Sequence, residues 1–259
     1  MAVGVFDSGI GGMTVVREIR KRFPGEKIIY FGDTKRVPYG NKSKEELIRL
    51  SEQVVAFLIA QGAKVIIDAC NTTSALALPH LREKFTTPII GVLEPGAEHA
   101  VQESTGKIGV IATKATIDSH CYTSKIMEKD KDTDVTAVAC PKLVGFIEDG
   151  DLDSDYLKRI LKSYLNEIFL NNCDTLIMGC THYPFLADTI NQLVGEEIKL
   201  IDPAIPTVDI LEGYLEESQS EEICYVSGDL HEFNNTLMKV FPNHGFEKIV
   251  EFDPIVDGE

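Results

Sequence analysis

Short runs of apolar residues alternate along this chain with longer stretches of helical period. The apolar runs predict strands at 3–7 (VGVFD), 27–32 (KIIYFG), 64–69 (KVIIDA) and 88–93 (PIIGVL). A second set falls at 107–112 (KIGVIA), 134–139 (DVTAVA), 174–179 (DTLIMG) and 197–202 (EIKLID), with a last strand near 222–227 (EICYVS). Between the strands, Ser43 and Glu46 form a capping box ahead of an apolar stripe at Leu47, Leu50, Val54 and Leu58. Another helix begins near 155, with Leu157, Leu161, Tyr164, Leu165 and Ile168 as its stripe. Strand and helix in regular alternation predict an α/β fold with mostly parallel sheets.

The two strand sets repeat at a nearly constant offset. Val110 lies 105 residues after Val5, Cys180 lies 110 after Cys70, and Asp202-Pro203 lies 108 after Glu94-Pro95. This predicts an internal duplication, hence two pseudo-symmetric parallel-sheet α/β domains with a site in the cleft between them. The length of 259 residues is enough for two small domains.

Charge narrows the classes of partner. The net charge of −16 argues against nucleic acid or an anionic membrane surface, both of which reward a basic protein. No apolar run approaches the ~20 residues of a membrane span. The start, MAVGVFDSG, enters a strand pattern without the basic and long apolar segments of a signal peptide, which predicts a cytoplasmic protein. The six cysteines form no CxxC pair and match neither a disulfide framework nor a zinc site, so free thiols and no metal are expected.

The candidate chemistry sits at strand ends. IIDACNTTSA (66–75) and LIMGCTHYP (176–184) are both apolar strands that end in cysteine and continue through a polar pair toward a helix. In parallel sheets, ligands bind at the carboxyl ends of the strands. A cysteine there lies near a helix N-terminus, whose dipole favours the thiolate. Asn71, Thr72 and Thr181 offer hydrogen bonds to a carboxylate or ammonium. Two thiols at equivalent points suit a reaction that removes a proton from one face of a carbon and delivers one to the other. A thiol hydrolase would need one cysteine with a histidine and an oxyanion hole. Cys173 and Cys224 read as structural, Cys121 falls in a helix, and Cys140 ends a strand.

Other polar groups gather around the same points. GVFDSGIGG (4–12) ends its strand at Asp7-Ser8 and enters a glycine turn able to bind an anion through backbone N–H groups. Asp7 can orient an ammonium or polarise a thiol. Pro38-Tyr39-Gly40 reads as a shaped loop over the cleft. His182 follows the Cys180-Thr181 pair, and Glu148, placed in a loop of the second half, is its candidate partner.

FDSGIGG, GDTKRVPYG, ACNTTSA, GVLEPG, GCTHYP and VSGD, in that order across nearly the whole chain, resemble the motifs of bacterial glutamate racemases. The resemblance implies interconversion of L- and D-glutamate, supplying D-glutamate for peptidoglycan, without pyridoxal phosphate, metal or other cofactor. It implies Cys70 and Cys180 as the proton donor/acceptor pair, Cys70 acting on the D-enantiomer and Cys180 on the L-enantiomer. Asp7 would assist Cys70, and His182 with Glu148 would assist Cys180. Asp7, Ser8, Tyr39, Gly40, Asn71, Thr72, Thr181 and His182 would bind substrate. It further implies a homodimer, and a C-terminal segment that folds back onto the first domain. The expected limits are 1–94 plus 206–259 for one domain and 95–205 for the other. The chain departs from the family pattern at Ala112, where a second glycine is common, and at Gly145, where proline is common. A racemase for aspartate and a two-lobed binding module without chemistry are the competing readings.

Overall fold

The central apolar runs assemble as strands buried on both faces, the condition under which a parallel sheet is stable, while the runs at the sheet edges are half-buried or exposed. The computed structural model describes residues 2–215 and 222–255. The strands of the first half are β1 (Ala2–Asp7), β2 (Lys27–Gly32), β3 (Ala63–Asp68) and β4 (Ile89–Gly91). Those of the second are β5 (Lys107–Ala112), β6 (Asp134–Ala139), β7 (Thr175–Gly179) and β8 (Lys199–Ile201). Two more follow, β9 (Ile223–Val226) and β10 (Ile249–Glu251). One sheet has the order β10-β9-β2-β1-β3-β4 and the other β6-β5-β7-β8. Every pairing is parallel. The core order β2-β1-β3-β4 is matched by β6-β5-β7-β8, so the sequence repeat is a repeat of topology.

That order fixes where a ligand fits. The connections leaving β1 and β3 run to opposite sides of the sheet, and their loops part at the carboxyl edge. The same holds for β5 and β7. Such switch points leave a crevice, and here they expose Asp7-Ser8 with Cys70 in one half and Thr113 with Cys180 in the other.

Local chemistry sets the helices. Ser43 caps the helix Lys44–Ala60 by accepting from the Glu46 N–H at 3.2 Å. Its Leu47, Leu50, Val54 and Leu58 are buried as the stripe requires. Ser154 caps the helix Asp155–Leu170 in the same way. Leu157, Leu161, Leu165 and Ile168 are buried there, while Tyr164 is half-buried. Two expectations differ from the structure. Glu148 is the last residue of the helix Leu143–Glu148 rather than a loop residue. Cys180 leads into a 3₁₀ turn, Tyr183–Leu186, before the helix Ala187–Val194, so no α-helix N-terminus stands directly behind it.

The chain crosses between sheets twice. After β4, the helix Leu93–Glu103 joins the second core, where Leu93, Ala97 and Ala100 pack with Val110 and Ile177. After β8, the helix Ala204–Asp209 rejoins the first, where Ala204 and Val208 pack with Val5 and Ile28. The two crossings abut. A Cβ at Gly96 would lie 2.8 Å from Pro203 Cβ and 3.3 Å from its Cα. A proline ring cannot swing aside, so Gly96→Ala overpacks this junction. The expected cost is about 1–3 kcal/mol, read as a lower urea midpoint at unchanged slope.

Candidate active site

The carboxyl edges of the two sheets face each other across a tight, nearly closed cavity. From the first sheet Cys70, Asn71 and Thr72 line it, together with Ser8. From the second come Cys180, Thr181 and His182. The loop Pro38-Tyr39-Gly40 closes one side. The two thiols are thus brought to one cavity, each almost sealed from solvent, at 5% and 6% exposure. Asp7 and Glu148 stand one contact behind the wall. Asp7 Oδ1 accepts from Thr181 Oγ1 at 2.9 Å, and Glu148 Oε1 lies 2.6 Å from His182 Nε2.

The glycine turn after β1 makes this assembly possible. Its N–H groups bind anions, as the sequence suggests, but the anions are the protein's own carboxylates. Gly9 N donates to Asp7 Oδ2 at 3.0 Å, and Ile10 N donates to Glu148 Oε1 at 3.3 Å. A Cβ on Gly11 would sit 2.5 Å from both His182 Nδ1 and Thr181 Oγ1, so only glycine lets the turn approach them. Tyr30 Oη fixes the turn by donating to the Gly9 carbonyl at 2.7 Å.

Three side chains have partners that limit what they can offer a ligand. Tyr39, which lines the cavity, donates its Oη to Asp33 Oδ2 at 2.6 Å, so its hydroxyl is engaged. Asn71 Oδ1 accepts from Tyr122 Oη at 2.6 Å, which turns its amide into a donor toward the cavity. Thr72 Oγ1 lies 3.0 Å from Thr113 Oγ1 and 3.3 Å from Thr116 Oγ1, a hydroxyl cluster that spans the two halves.

Sequence reasoning missed Thr113 and Val144 as wall residues, while Pro38 falls in the loop it set over the cleft. Thr113 had a signal. It occupies the place in the second half that Ser8 occupies in the first, and the offset of the repeat points to it. Val144 had none, being one apolar helix residue among many.

The electrostatics of the two thiols differ. His182 lies between Cys180 Sγ, 3.8 Å from Nδ1, and Glu148. Burial alone would lower the imidazole, but its bonds to Cys180 and Glu148 outweigh burial and raise it well above its ordinary range. Burial likewise pushes Glu148 up, and the hydrogen bond and charge of His182 bring it below the ordinary carboxylate value. Both shifts have one sense, an ion pair with His182 protonated and an N–H for each neighbour. Cys70 has the opposite surroundings. Burial first, then the charges of Asp7 and Asp68, push its thiol far up. The helix behind it, Asn71–Leu76, has only six residues, and its dipole does not offset desolvation.

Among the described residues, no group of three or more His, Cys, Asp or Glu side chains is arranged to hold a metal ion. No described helix is long and apolar enough to cross a membrane.

Comparison with known proteins agrees with this geometry. The Asp/Glu/Hydantoin racemase family matches residues 13–211. The glutamate racemase of Desulforudis audaxviator is 47% identical over 207 residues, 80% of this chain and 76% of that protein. A glutamate racemase isoform from Bacillus anthracis superposes with a TM-score of 0.91 at 34% identity, covering 98% of each chain. The glutamate racemase of Francisella tularensis, solved in complex with D-glutamate, superposes with a TM-score of 0.90 at 33% identity, covering 98% of this chain and 97% of that one. Sequence and fold agree, and the chain belongs to the Asp/Glu/Hydantoin racemase family.

Proposed function

We propose that this chain interconverts L- and D-glutamate without a cofactor, with Cys70 and Cys180 as opposed acid and base. One observation carries the reading: both thiols line a single cavity, at equivalent strand ends of a duplicated scaffold. Glutamate as substrate is supported by the names of the relatives and by the D-glutamate held in the Francisella structure.

In the L-to-D direction, the Cys180 thiolate takes the α-proton and the electron pair stays on the α-carbon. The Cys70 thiol delivers its proton to the opposite face, and nothing is oxidised or reduced. The reverse direction starts from the inverse pair, Cys70 thiolate and Cys180 thiol. The pushed-up Cys70 thiol and the protonated His182 beside Cys180 favour the form that accepts L-glutamate. The α-proton of an amino acid is very weakly acidic, so the carbanion needs fixed donors in a dry site. Ser8, Thr72, the backbone N–H of Thr181, the Asn71 amide and the backbone at Tyr39-Gly40 are the donors assigned to the carboxylates, the Thr181 hydroxyl being engaged by Asp7. Asp7 orients the ammonium and assists Cys70. His182 assists Cys180, with Glu148 holding it protonated.

Further parts of the reading are a cytoplasmic homodimer that supplies D-glutamate for peptidoglycan. The domain limits are 1–94 with 206–259, and 95–205. Of that returning segment, residues 216–221 and 256–259 lie outside the described ones.

Either Cys70→Ala or Cys180→Ala should cut racemisation of L-glutamate by at least about 100-fold, the scale of a lost acid–base group. Circular dichroism of the product mixture measures this, and one variant with near-parent activity sinks the two-thiol reading. Glu148→Gln removes the charge that keeps His182 protonated. His182 then loses its proton at lower pH, so the alkaline limb of kcat/KM should move to lower pH. An unmoved limb would separate Glu148 from the state of His182.

A further inference from the structure

Asp68 is a buried acid for which the reaction above has no use. It ends β3, two residues before Cys70. Strand periodicity puts its side chain on the face of Ile66. Ile66 and Cys70 belong to one apolar layer, covered by the helices Lys44–Ala60 and Leu78–Lys84. The Asp68 side chain is fully buried, and its Oδ2 has no hydrogen-bond partner among the described residues.

Its other oxygen raises a question of proton counting. Thr73 Oγ1 is in close contact with Asp68 Oδ1 and lies 3.0 Å from the Cys70 carbonyl oxygen. The hydroxyl has one proton, and a carbonyl can only accept. Thr73 can serve the Cys70 carbonyl only if Asp68 donates to Thr73, which needs a protonated carboxyl. An ionised Asp68 would claim the Thr73 proton and leave the Cys70 carbonyl to the Ser74 N–H alone, which donates to it at 2.9 Å. It would also leave a charged oxygen bare in an apolar layer. The Ser74 hydroxyl, which donates to the Asp68 backbone carbonyl at 3.1 Å, and the Cys70 N–H relieve this only in part, since burial still outweighs them.

The surroundings favour the neutral form. Asp7 on β1 is the charged group that acts on Asp68, and it is an acid too. β4 brings Ile89–Gly91, and the buried face of the helix Lys44–Ala60 brings Ser51 and aliphatic side chains. Glu52, His80 and Lys84 pair with one another nearer the surface. Burial, reinforced by Asp7, pushes the Asp68 carboxyl up to about 8 against the hydrogen bonds of Thr73 and Ser74.

The geometry points to Asp68 as a positioning residue for Cys70 that works as a neutral acid. Its proton completes the chain Asp68 to Thr73 to the Cys70 carbonyl, and its ionisation sets a second carboxylate charge beside the thiol. The role rests on Cys70 being an acid–base group. It gives that thiol two proton affinities, the higher one once Asp68 has ionised.

The decisive experiment reads the thiol rather than turnover. Asp68→Asn is neutral at every pH, and its amide can still donate to Thr73. Alkylation of Cys70 by iodoacetamide is followed by peptide mass in the parent and in D68N. At about pH 9 the variant should react roughly tenfold faster, since one pKa unit is tenfold in thiolate. At about pH 6.5, where both side chains are neutral, the two rates should agree within about twofold. A variant-to-parent ratio that is the same at both pH values overturns the proposal. A second measurement needs only the parent: the carboxyl ¹³C signal of Asp68 should titrate near 8, and titration in the ordinary aspartate range overturns the proposal. Racemisation by the parent is assayed separately. Its absence would refute the proposed function while the coupling of Asp68 to Cys70 stood.

Discussion

Each half of this molecule holds an acid that the other half completes. Asp7, at the end of β1, accepts from Thr181 of the second half. Glu148, from the second half, accepts from the Ile10 N–H of the first. Thr14 Oγ1 adds a contact to the Thr181 carbonyl at 3.2 Å. These reciprocal bonds meet at the glycine turn, and the site depends on them. With the Thr72 hydroxyl cluster and the Asn71–Tyr122 bond, they hold the carboxyl edges face to face, so that the thiols line one cavity rather than two crevices. A side chain at Gly11 would push Thr181 and His182 away. The glycines of this turn therefore do domain assembly as much as local bending.

The duplicated scaffold carries unlike supporting groups. Cys180 has a buried imidazole paired with a carboxylate. Cys70 has carboxyl groups for electrostatic neighbours. Mirror-image substrates present the same functional groups to the two sides in different order, so identical escorts would serve neither well. In a two-thiol reaction one member must hold its proton while the other gives its proton up. The contrast between imidazolium and carboxyl surroundings supplies that bias before any substrate arrives.

Much of this was legible in the sequence, because parallel strands are short apolar runs and their ends carry the chemistry. β1, β2, β5 and β6 fall within a residue of the expected limits. Cys70 and Cys180 stood out because each ends an apolar run, and His182 because it follows the Cys180-Thr181 pair. β10 did not, since three half-exposed residues at a sheet edge make no period. Glu148 was read in a loop because the helix that carries it has six residues and no side-chain cap. The expected lowering of the Cys70 thiol failed for a physical reason. A helix dipole acts over one turn, whereas desolvation acts from every side and grows with burial that only the fold reveals. Asp68 passed unnoticed inside KVIIDA, because a strand pattern cannot tell a buried acid from one at a rim.

The junction of Gly96 with Pro203 has a mechanical consequence. A body joined by one tether can tumble freely, and one joined by two distant tethers is nearly fixed. Two tethers in contact at a point behave as a door hung on adjoining pins, leaving a single soft rotation. Swinging about that axis parts the strand ends like a jaw and strains the cross-links at Asp7, Glu148 and Thr72 in one stroke. A ligand that enters between the strand ends along that path passes the same bonds that position the proton-handling groups.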